Sequence, residues 1–193
     1  IGKLPKTISP EKYHLGLSKS LYQKKEYGLA LIEIETAAKL NPTDLKTQEI
    51  LVGMYSLFLR IDKAEKTLLQ LIKSANDKDP IKSRSYQEWG DIAVLRGKMK
   101  AAKERYEQAK ELGDPQGIAK ITLKEFPDLS TTPVNKLPLN PNELFISPTN
   151  SLNRKGEIFA HFGMYNRALG IYSLVLRMDP SNLTALLNMA TVN

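Results

Sequence analysis

Residues 83–115 read SRSYQEWGDIAVLRGKMKAAKERYEQAKELGDP, and their apolar pattern predicts two short helices folded against each other. One helical face of the first half carries Tyr86, Trp89, Gly90 and Ala93. The second half repeats this stripe with Met99, Ala102, Tyr106 and Ala109. Gly97, between the two stripes, can end the first helix in a left-handed conformation. Because Gly90 has no side chain, we expect the two backbones to approach closely there, with Trp89 and Tyr106 filling the flanking space.

The same pattern recurs along the chain. A small residue near the start of a second helix returns at intervals of 34, 38 and 66 residues, as Ala30, Ala64, Ala102 and Ala168. Four residues after each of these comes a large apolar residue: Ile34, Leu68, Tyr106 and Tyr172. One small helix pair cannot bury its own apolar face, so this repetition indicates several pairs stacked side by side.

On these residues the chain resembles the tetratricopeptide-repeat (TPR) family. The repeats would span residues 11–44, 45–76, 83–114 and 149–182, with the first helix of a fifth at residues 183–193. The resemblance implies an all-α fold, a right-handed superhelix of antiparallel helix pairs (an α-solenoid). Two features depart from the family pattern: Lys155 stands where an apolar residue is typical, and no proline ends the second repeat.

We therefore divide the chain into four parts. They are a leader at residues 1–10, three TPR-like repeats at 11–116, a degenerate repeat with an irregular Pro-rich insertion at 117–148, and the fourth repeat with the first helix of a fifth at 149–193.

The insertion is rich in proline. It holds Pro127, Pro133, Pro138 and Pro141, which lie too close together for helix interiors, although residues 118–126 could form a short helix. Two interpretations stay open. The insertion is either a repeat that lost its second helix or a segment that docks in the groove of the array as a built-in peptide, through residues 137–139 or 144–146.

The composition excludes several kinds of site. The chain has no cysteine, so disulfide bonds, thiolate zinc sites and a cysteine nucleophile are excluded. No apolar run reaches the ~18 residues that span a bilayer. The net charge of +7 is spread along the chain and mostly alternates with acidic residues, which is typical of solvated helix faces. The sequence starts at Ile1, from which we expect a fragment or a processed form.

The sequence shows no catalytic constellation. His14 and His161 lie in different repeats without clustered metal ligands, and there is no Gly-rich phosphate loop. Acidic residues are scattered at helix-surface spacing, so no carboxylate pair stands out. We predict that the chain is not an enzyme and uses no cofactor, metal ion or small-molecule substrate. Its function then has to come from its surfaces.

In TPR proteins the first helices of successive repeats line a concave groove that holds an extended or helical segment of a partner. Carried onto this chain, the resemblance implies the groove residues Lys12, Leu15, Lys19, Tyr22, Lys46, Glu49, Gly53, Arg84, Gln87 and Asp91. The basic residues would suit a partner segment with acidic and apolar residues, and Tyr22 would anchor it. The alternative is that these are ordinary solvated side chains.

One TPR subfamily can be tested on its own positions. The TPR domains of co-chaperones, which bind chaperones, hold the C-terminal carboxylate of their partner. The matching positions of this chain hold Leu15, Lys19, Ile50, Arg84 and Glu88. Only Arg84 keeps the required charge, and Glu88 would repel a carboxylate. A co-chaperone of that type is therefore disfavoured.

Three function classes remain. We expect a protein-interaction scaffold, for example an assembly factor of a bacterial envelope machine such as a pilus or secretion system. The cysteine-free, lysine-rich composition favours the bacterial periplasm or envelope over the cytoplasm. The second class is a self-associating adaptor that uses the apolar face of the last helix, with Leu186, Leu187 and Met189. The third is a basic nucleic-acid-binding helical repeat, which is weaker because clustered Lys and Arg with interleaved aromatic residues are missing.

Overall fold

The computed structural model describes residues 8–114, 116–128, 139 and 147–192, and all regular secondary structure within them is α-helical. The helices are α1 (Pro10–Gln23), α2 (Tyr27–Leu40), α3 (Leu45–Leu57), α4 (Ile61–Ser74), α5 (Pro80–Leu95), α6 (Met99–Glu111), α7 (Ile118–Lys124), α8 (Pro148–His161), α9 (Tyr165–Met178) and α10 (Leu183–Val192). Among these helices, none combines the length and apolarity that a membrane span requires. The predicted all-α fold is confirmed.

Consecutive helices pack as four pairs, which we call units 1 to 4: α1 with α2, α3 with α4, α5 with α6, and α8 with α9. In unit 3, Ser83 near the start of α5 donates a 2.7 Å hydrogen bond to the carbonyl of Ala109 near the end of α6. In unit 1, Ser18 donates a 2.8 Å hydrogen bond to the carbonyl of Ala30 in the first turn of α2. Both bonds show that the two helices of a pair run antiparallel. The predicted succession of antiparallel helix pairs is therefore confirmed.

Each unit turns between its two helices through one residue with a left-handed backbone. In units 3 and 4 this residue is a glycine, Gly97 with φ 68° and Gly163 with φ 74°. In units 1 and 2 it is Lys25 with φ 64° and Leu59 with φ 50°. A residue with a Cβ adopts this conformation only at an energetic cost, so the first two turns are strained and the last two are not.

Glycines let the two helices of units 3 and 4 approach closely, as the sequence predicts for Gly90. A Cβ atom at Gly90 would lie 2.6 Å from Cε1 of Tyr106, and one at Gly156 would meet the ring of Tyr172 in the same way. Both tyrosine rings are almost completely buried. A side chain at either glycine would therefore have to displace a packed aromatic ring.

The short helix α7 lies on one side of the array and curls it. It packs against α6 and α9, the second helices of units 3 and 4, whereas α8 packs against α5 and reaches α3. The helix α7 separates α6 from α9, whereas no described helix separates α5 from α8. Unit 4 therefore tilts towards units 1 and 2. At the end of this curl, Nζ of Lys25 donates a 2.8 Å hydrogen bond to the carbonyl of Met178. Units 1 to 4 therefore border a common space.

Some parts of the predicted layout lie outside the described residues. These are residues 1–7 of the leader, residues 129–138 and 140–146 of the insertion, and residue 193; the predicted built-in peptide, at residues 137–139 or 144–146, falls within the insertion. Of residues 137–139, Leu139 is described, and its N–H donates a 3.2 Å hydrogen bond to the carbonyl of Leu95 at the end of α5. The interpretation of residues 117–148 as a degenerate repeat stays a prediction.

Candidate partner-binding face

A cavity of about 540 Å³, which we call the central cavity, lies between α1, α3, α5, α8 and α9. It is lined by Ser18, Lys19, Tyr22, Gln23, Ile50, Gly53, Met54, Ser56, Leu57, Glu88, Leu152, Lys155 and Leu174. All of these residues except Leu174 belong to the first helix of a unit. The first helices therefore converge on one concave face, and unit 4 closes that face from the far side.

The central cavity has a buried apolar wall and an exposed polar edge. Met54, Leu57 and Leu152 form the wall and are buried. Lys19 lies at the exposed edge and makes no ion pair within the described part of the chain. Tyr22, also at the edge, remains 41% exposed, and its ring packs edge-to-face against Tyr27 with 5.1 Å between the ring centroids. At this edge a ligand would meet the ammonium of Lys19 and the ring of Tyr22.

A second cavity of about 210 Å³ adjoins the first and shares Gly53 and Glu88 with it. Glu49, Arg84 and Gln87, three of the predicted groove residues, line this second cavity. Nε of Arg84 lies 2.5 Å from Oε1 of Glu49. This hydrogen bond raises the pKa of Arg84, and Glu49 compensates its charge. Arg84 is therefore a paired cation.

The prediction of Asp91 as a groove residue is wrong, because its side chain is buried between units 3 and 4. The residue is only 1% exposed. Its Oδ1 accepts a 2.8 Å hydrogen bond from the hydroxyl of Tyr106, and its Oδ2 lies 2.9 Å from Nζ of Lys155. The guanidinium of Arg167 donates to the same Oδ2. Asp91 therefore joins helices instead of facing a partner.

The charges around Asp91 decide its ionisation. Burial alone would raise the pKa of Asp91, but the positive charges of Arg167 and Lys155 outweigh it and lower the pKa to about 2. Burial acts to lower the pKa of Lys155, but Asp91 and Glu88, whose Oε1 is 3.5 Å from Nζ, raise it above its ordinary value. Lys155 stands at a position where TPR proteins typically have an apolar residue, and its positive charge compensates the charge of the buried Asp91. We call these residues the charge cluster: Glu88, Asp91, Tyr106, Lys155 and Arg167.

Besides Asp91, three predicted groove residues line neither cavity. Lys12 and Lys46 are exposed, and Leu15 is half-buried against the apolar core. The structure thus brings Lys19, Tyr22 and Gly53 to the central cavity and Glu49, Gly53, Arg84 and Gln87 to the second one. Their contact with a partner stays a prediction.

Sequence reasoning missed the contribution of unit 4. Leu152, Lys155 and Leu174 line the central cavity although the predicted groove contained only residues of the first three repeats. The one available signal was Lys155, a charged residue at a position that is typically apolar. Its occurrence there indicates a buried acidic partner on a neighbouring unit.

The acidic and histidine side chains of the described residues are the kinds of group that metal ions take as ligands. No group of three or more His, Cys, Asp and Glu side chains there could hold a metal ion. Nδ1 of His14 lies 2.6 Å from Oε2 of Glu33, and this contact links α1 to α2. His161 is exposed at the end of α8, where its ring packs edge-on against Phe162.

Comparisons with known proteins give similarity only at the level of structure. No protein-family model matches the sequence, and no curated protein matches it. The thermophilic TPR protein TTC0263 of Thermus thermophilus is similar with 19% identity and a TM-score of 0.47, over 94% of this chain and 98% of that chain.

Two further solved structures show the same level of similarity. The TPR2AB domain of yeast Sti1, solved in complex with pHSP90, has 13% identity and a TM-score of 0.47, over 94% of this chain and 82% of that one. YrrB, a TPR protein with an unusual peptide-binding site, has 15% identity and a TM-score of 0.44, over 93% and 74% of the two chains. The helix pairs of this chain follow one another along the sequence, and the two helices of units 3 and 4 approach closely at Gly90 and Gly156. The resulting all-α fold resembles the TPR array.

Proposed function

We propose that the chain is a protein-interaction scaffold that binds a segment of a partner across the exposed edge of the central cavity. The observation that carries this proposal is the convergence of α1, α3, α5 and α8 on one concave face. Such a face is formed by residues from all four units, so it offers a partner a surface that no single helix pair possesses.

The residues at the edge indicate the chemistry of the partner. Lys19 is a cation without a partner in the described residues, so it suits an acidic side chain. The half-exposed ring of Tyr22 suits an apolar one. In the second cavity, the pair of Arg84 and Glu49 offers a donor and an acceptor together, which suits a polar residue of the same segment. The partner segment then carries acidic, apolar and polar residues in succession.

The test compares cross-linked partners of wild type with those of edge variants. Tyr22→Ala and Lys19→Glu should each lose a partner that the wild type captures, while the helical content stays the same. Lys103→Glu, at an exposed position of α6 outside both cavities, is the control for the change in charge. Arg84 stays unchanged, because a glutamate there would face Glu49. A partner that all three variants capture equally would place the binding surface elsewhere.

We keep a bacterial envelope machine, such as a pilus or secretion system, as the setting of this interaction. The cysteine-free and lysine-rich composition supports it. Fractionation of cells that produce the natural protein tests it directly: recovery in the periplasm or envelope supports the setting, and recovery in the cytoplasm contradicts it.

Self-association through α10 is a second candidate function. Leu183, Leu186 and Leu187 are 67%, 46% and 58% exposed, so this helix presents an apolar face to solvent. A second copy of the chain could cover it. Sedimentation of wild type and of a Leu186→Glu, Leu187→Glu variant distinguishes the cases. A concentration-dependent dimer that the variant abolishes supports the interface, and a monomeric wild type contradicts it.

A further inference from the structure

We propose that the central cavity binds a long acyl chain and holds its anionic head group at Lys19. This inference goes beyond the proposed function, because it concerns the apolar depth of the cavity, whereas a partner segment would lie across its edge. Nothing in the sequence alone indicates such a ligand. The inference depends on the volume, the lining and the charge balance of the central cavity.

The volume is the first argument. The central cavity measures about 540 Å³. Small-molecule sites occupy roughly 300 to 1,000 Å³. A cavity of about 150 Å³ already holds a benzene ring, so a single apolar side chain would leave most of the central cavity empty. A flexible chain of many methylene groups is the apolar ligand that fills such a space.

The lining is the second argument, and it disfavours a peptide backbone in the depth of the cavity. Each peptide unit brings an N–H and a C=O that need partners when they are buried. The hydroxyl of Ser18 is already bonded to Ala30, and the ammonium of Lys155 to Asp91 and Glu88. The hydroxyl of Ser56 is buried and has no hydrogen-bond partner among the described residues. The polar groups of Lys19, Tyr22 and Gln23 lie at the exposed edge, and Glu88 already holds Lys155. The depth of the cavity therefore offers few free polar groups for several peptide units, whereas an acyl chain has no polar group along its length.

The charge balance is the third argument. In the charge cluster, the cations Lys155 and Arg167 face the carboxylates of Asp91 and Glu88, so the cluster adds no net charge. Lys19 then remains as an uncompensated cation of the cavity lining within the residues that the structure describes. It lies at the exposed edge, where a carboxylate or phosphate head group can stay partly solvated. An anionic amphiphile therefore complements both parts of the site.

One position of the cavity lining accepts a Cβ atom, so a larger side chain there tests whether the cavity is used. Gly53 lies within α3 and lines both cavities, and a Cβ atom built there meets nothing within 4 Å. Gly53→Phe should fill the space that the acyl chain would take. Gly28→Phe is the matched control, because Gly28 also lies in a helix with nothing within 4 Å and lines neither cavity. If both variants melt at the temperature of the wild type, the fold is kept.

The experiment uses purified full chain, cis-parinaric acid as a fluorescent probe and palmitate as competitor, so it does not depend on any protein partner. We expect saturable binding to the wild type and to Gly28→Phe, and binding weaker by about a hundredfold in Gly53→Phe, since the ring excludes several methylene groups. Lys19→Glu should weaken palmitate binding by about tenfold and leave hexadecanol, which has no charge, unaffected. Lys103→Glu should bind both ligands like the wild type.

Three results would overturn the proposal. They are no saturable binding to the wild type, equal binding to Gly53→Phe, and displacement of the probe by a non-acylated acidic peptide as effectively as by palmitate. The occupant is a free fatty acid or a similar free amphiphile, because the acyl group of an acylated protein is bound as an ester, thioester or amide and has no carboxylate for Lys19. A palmitoylated short peptide, measured beside palmitate, tests this choice: weaker binding of the peptide supports the free amphiphile, and tighter binding of the peptide contradicts it.

Discussion

Oδ2 of Asp91 in α5 lies 2.9 Å from Nζ of Lys155 in α8, and this contact fixes unit 4 against unit 3. The same carboxylate binds Tyr106 of α6 and Arg167 of α9, so one buried side chain connects all four helices of the two units. The position of α8 against α5 is also what brings Leu152 and Lys155 to the central cavity. The shape of the central cavity therefore depends on this buried charge pair.

Asp91→Asn should strongly destabilise the protein. The variant keeps an acceptor for Tyr106 but leaves Lys155 and Arg167 without their counter-charge, which costs about 3 to 5 kcal/mol for a buried pair. Urea unfolding followed by the fluorescence of Trp89, the only tryptophan of the chain, measures the free energy of unfolding. Asp62→Asn is the control, because the Asp62 side chain is 98% exposed beside Arg96 and should contribute less than about 1 kcal/mol. Equal stabilities of the two variants would contradict the role of Asp91.

The charge cluster also predicts how stability depends on pH. The pKa of Asp91 is about 2 in the folded chain, against about 3.9 in an unfolded one. Because the folded value is lower, the contribution of Asp91 is fully present above about pH 5 and is lost as the pH falls through about 2. Between about pH 5 and about pH 1 the wild type should lose about 2 to 3 kcal/mol more than Asp91→Asn does. Parallel curves for the two proteins would contradict the ionised, buried carboxylate.

Glycine substitutions should have opposite effects at two positions of unit 4. Gly156→Ala should destabilise the unit by about 1 to 3 kcal/mol, because the new methyl group overlaps the buried ring of Tyr172. Gly170→Ala lies on the other helix of the same unit, where a Cβ meets nothing within 4 Å. It should stabilise the protein by about 0.5 to 1 kcal/mol through helix propensity. Thermal unfolding of both variants checks the signs, and a stabilising Gly156→Ala would contradict the close helix approach.

Turn glycines give a further test of the repeat. Gly97 adopts φ 68° with open space around it, so Gly97→Ala should cost about 1 to 2 kcal/mol from backbone strain alone. Gly53→Ala, in helix α3 and also in open space, should instead be neutral or stabilising. The two melting temperatures measured together separate strain from packing. If Gly97→Ala melted at or above the wild-type temperature, the left-handed turn would be wrong.

Local features of the fold were predictable from the sequence. Stripes such as Met99, Ala102, Tyr106 and Ala109 follow from helical periodicity, and the close approach at Gly90 follows from its missing side chain. The cavity-lining side of unit 4 was not predictable. It depends on α7 packing between α6 and α9, and on the contact between Asp91 and Lys155, which are distant in sequence. The sequence predicted an exposed Asp91 for the same reason. The position of a residue on its own helix does not show which helix of a neighbouring unit will cover it.

A cross-linking measurement tests most directly whether units 1 to 4 curl around one cavity. Because the natural chain has no cysteine, Lys24→Cys with Arg177→Cys places one thiol beside Lys25 and one beside Met178, whose contact closes the curl. A short bifunctional maleimide should join the two thiols within one molecule in native buffer and fail to do so in urea. An uncross-linked native protein, with both thiols singly modified, would show that the array is open and that the central cavity does not exist.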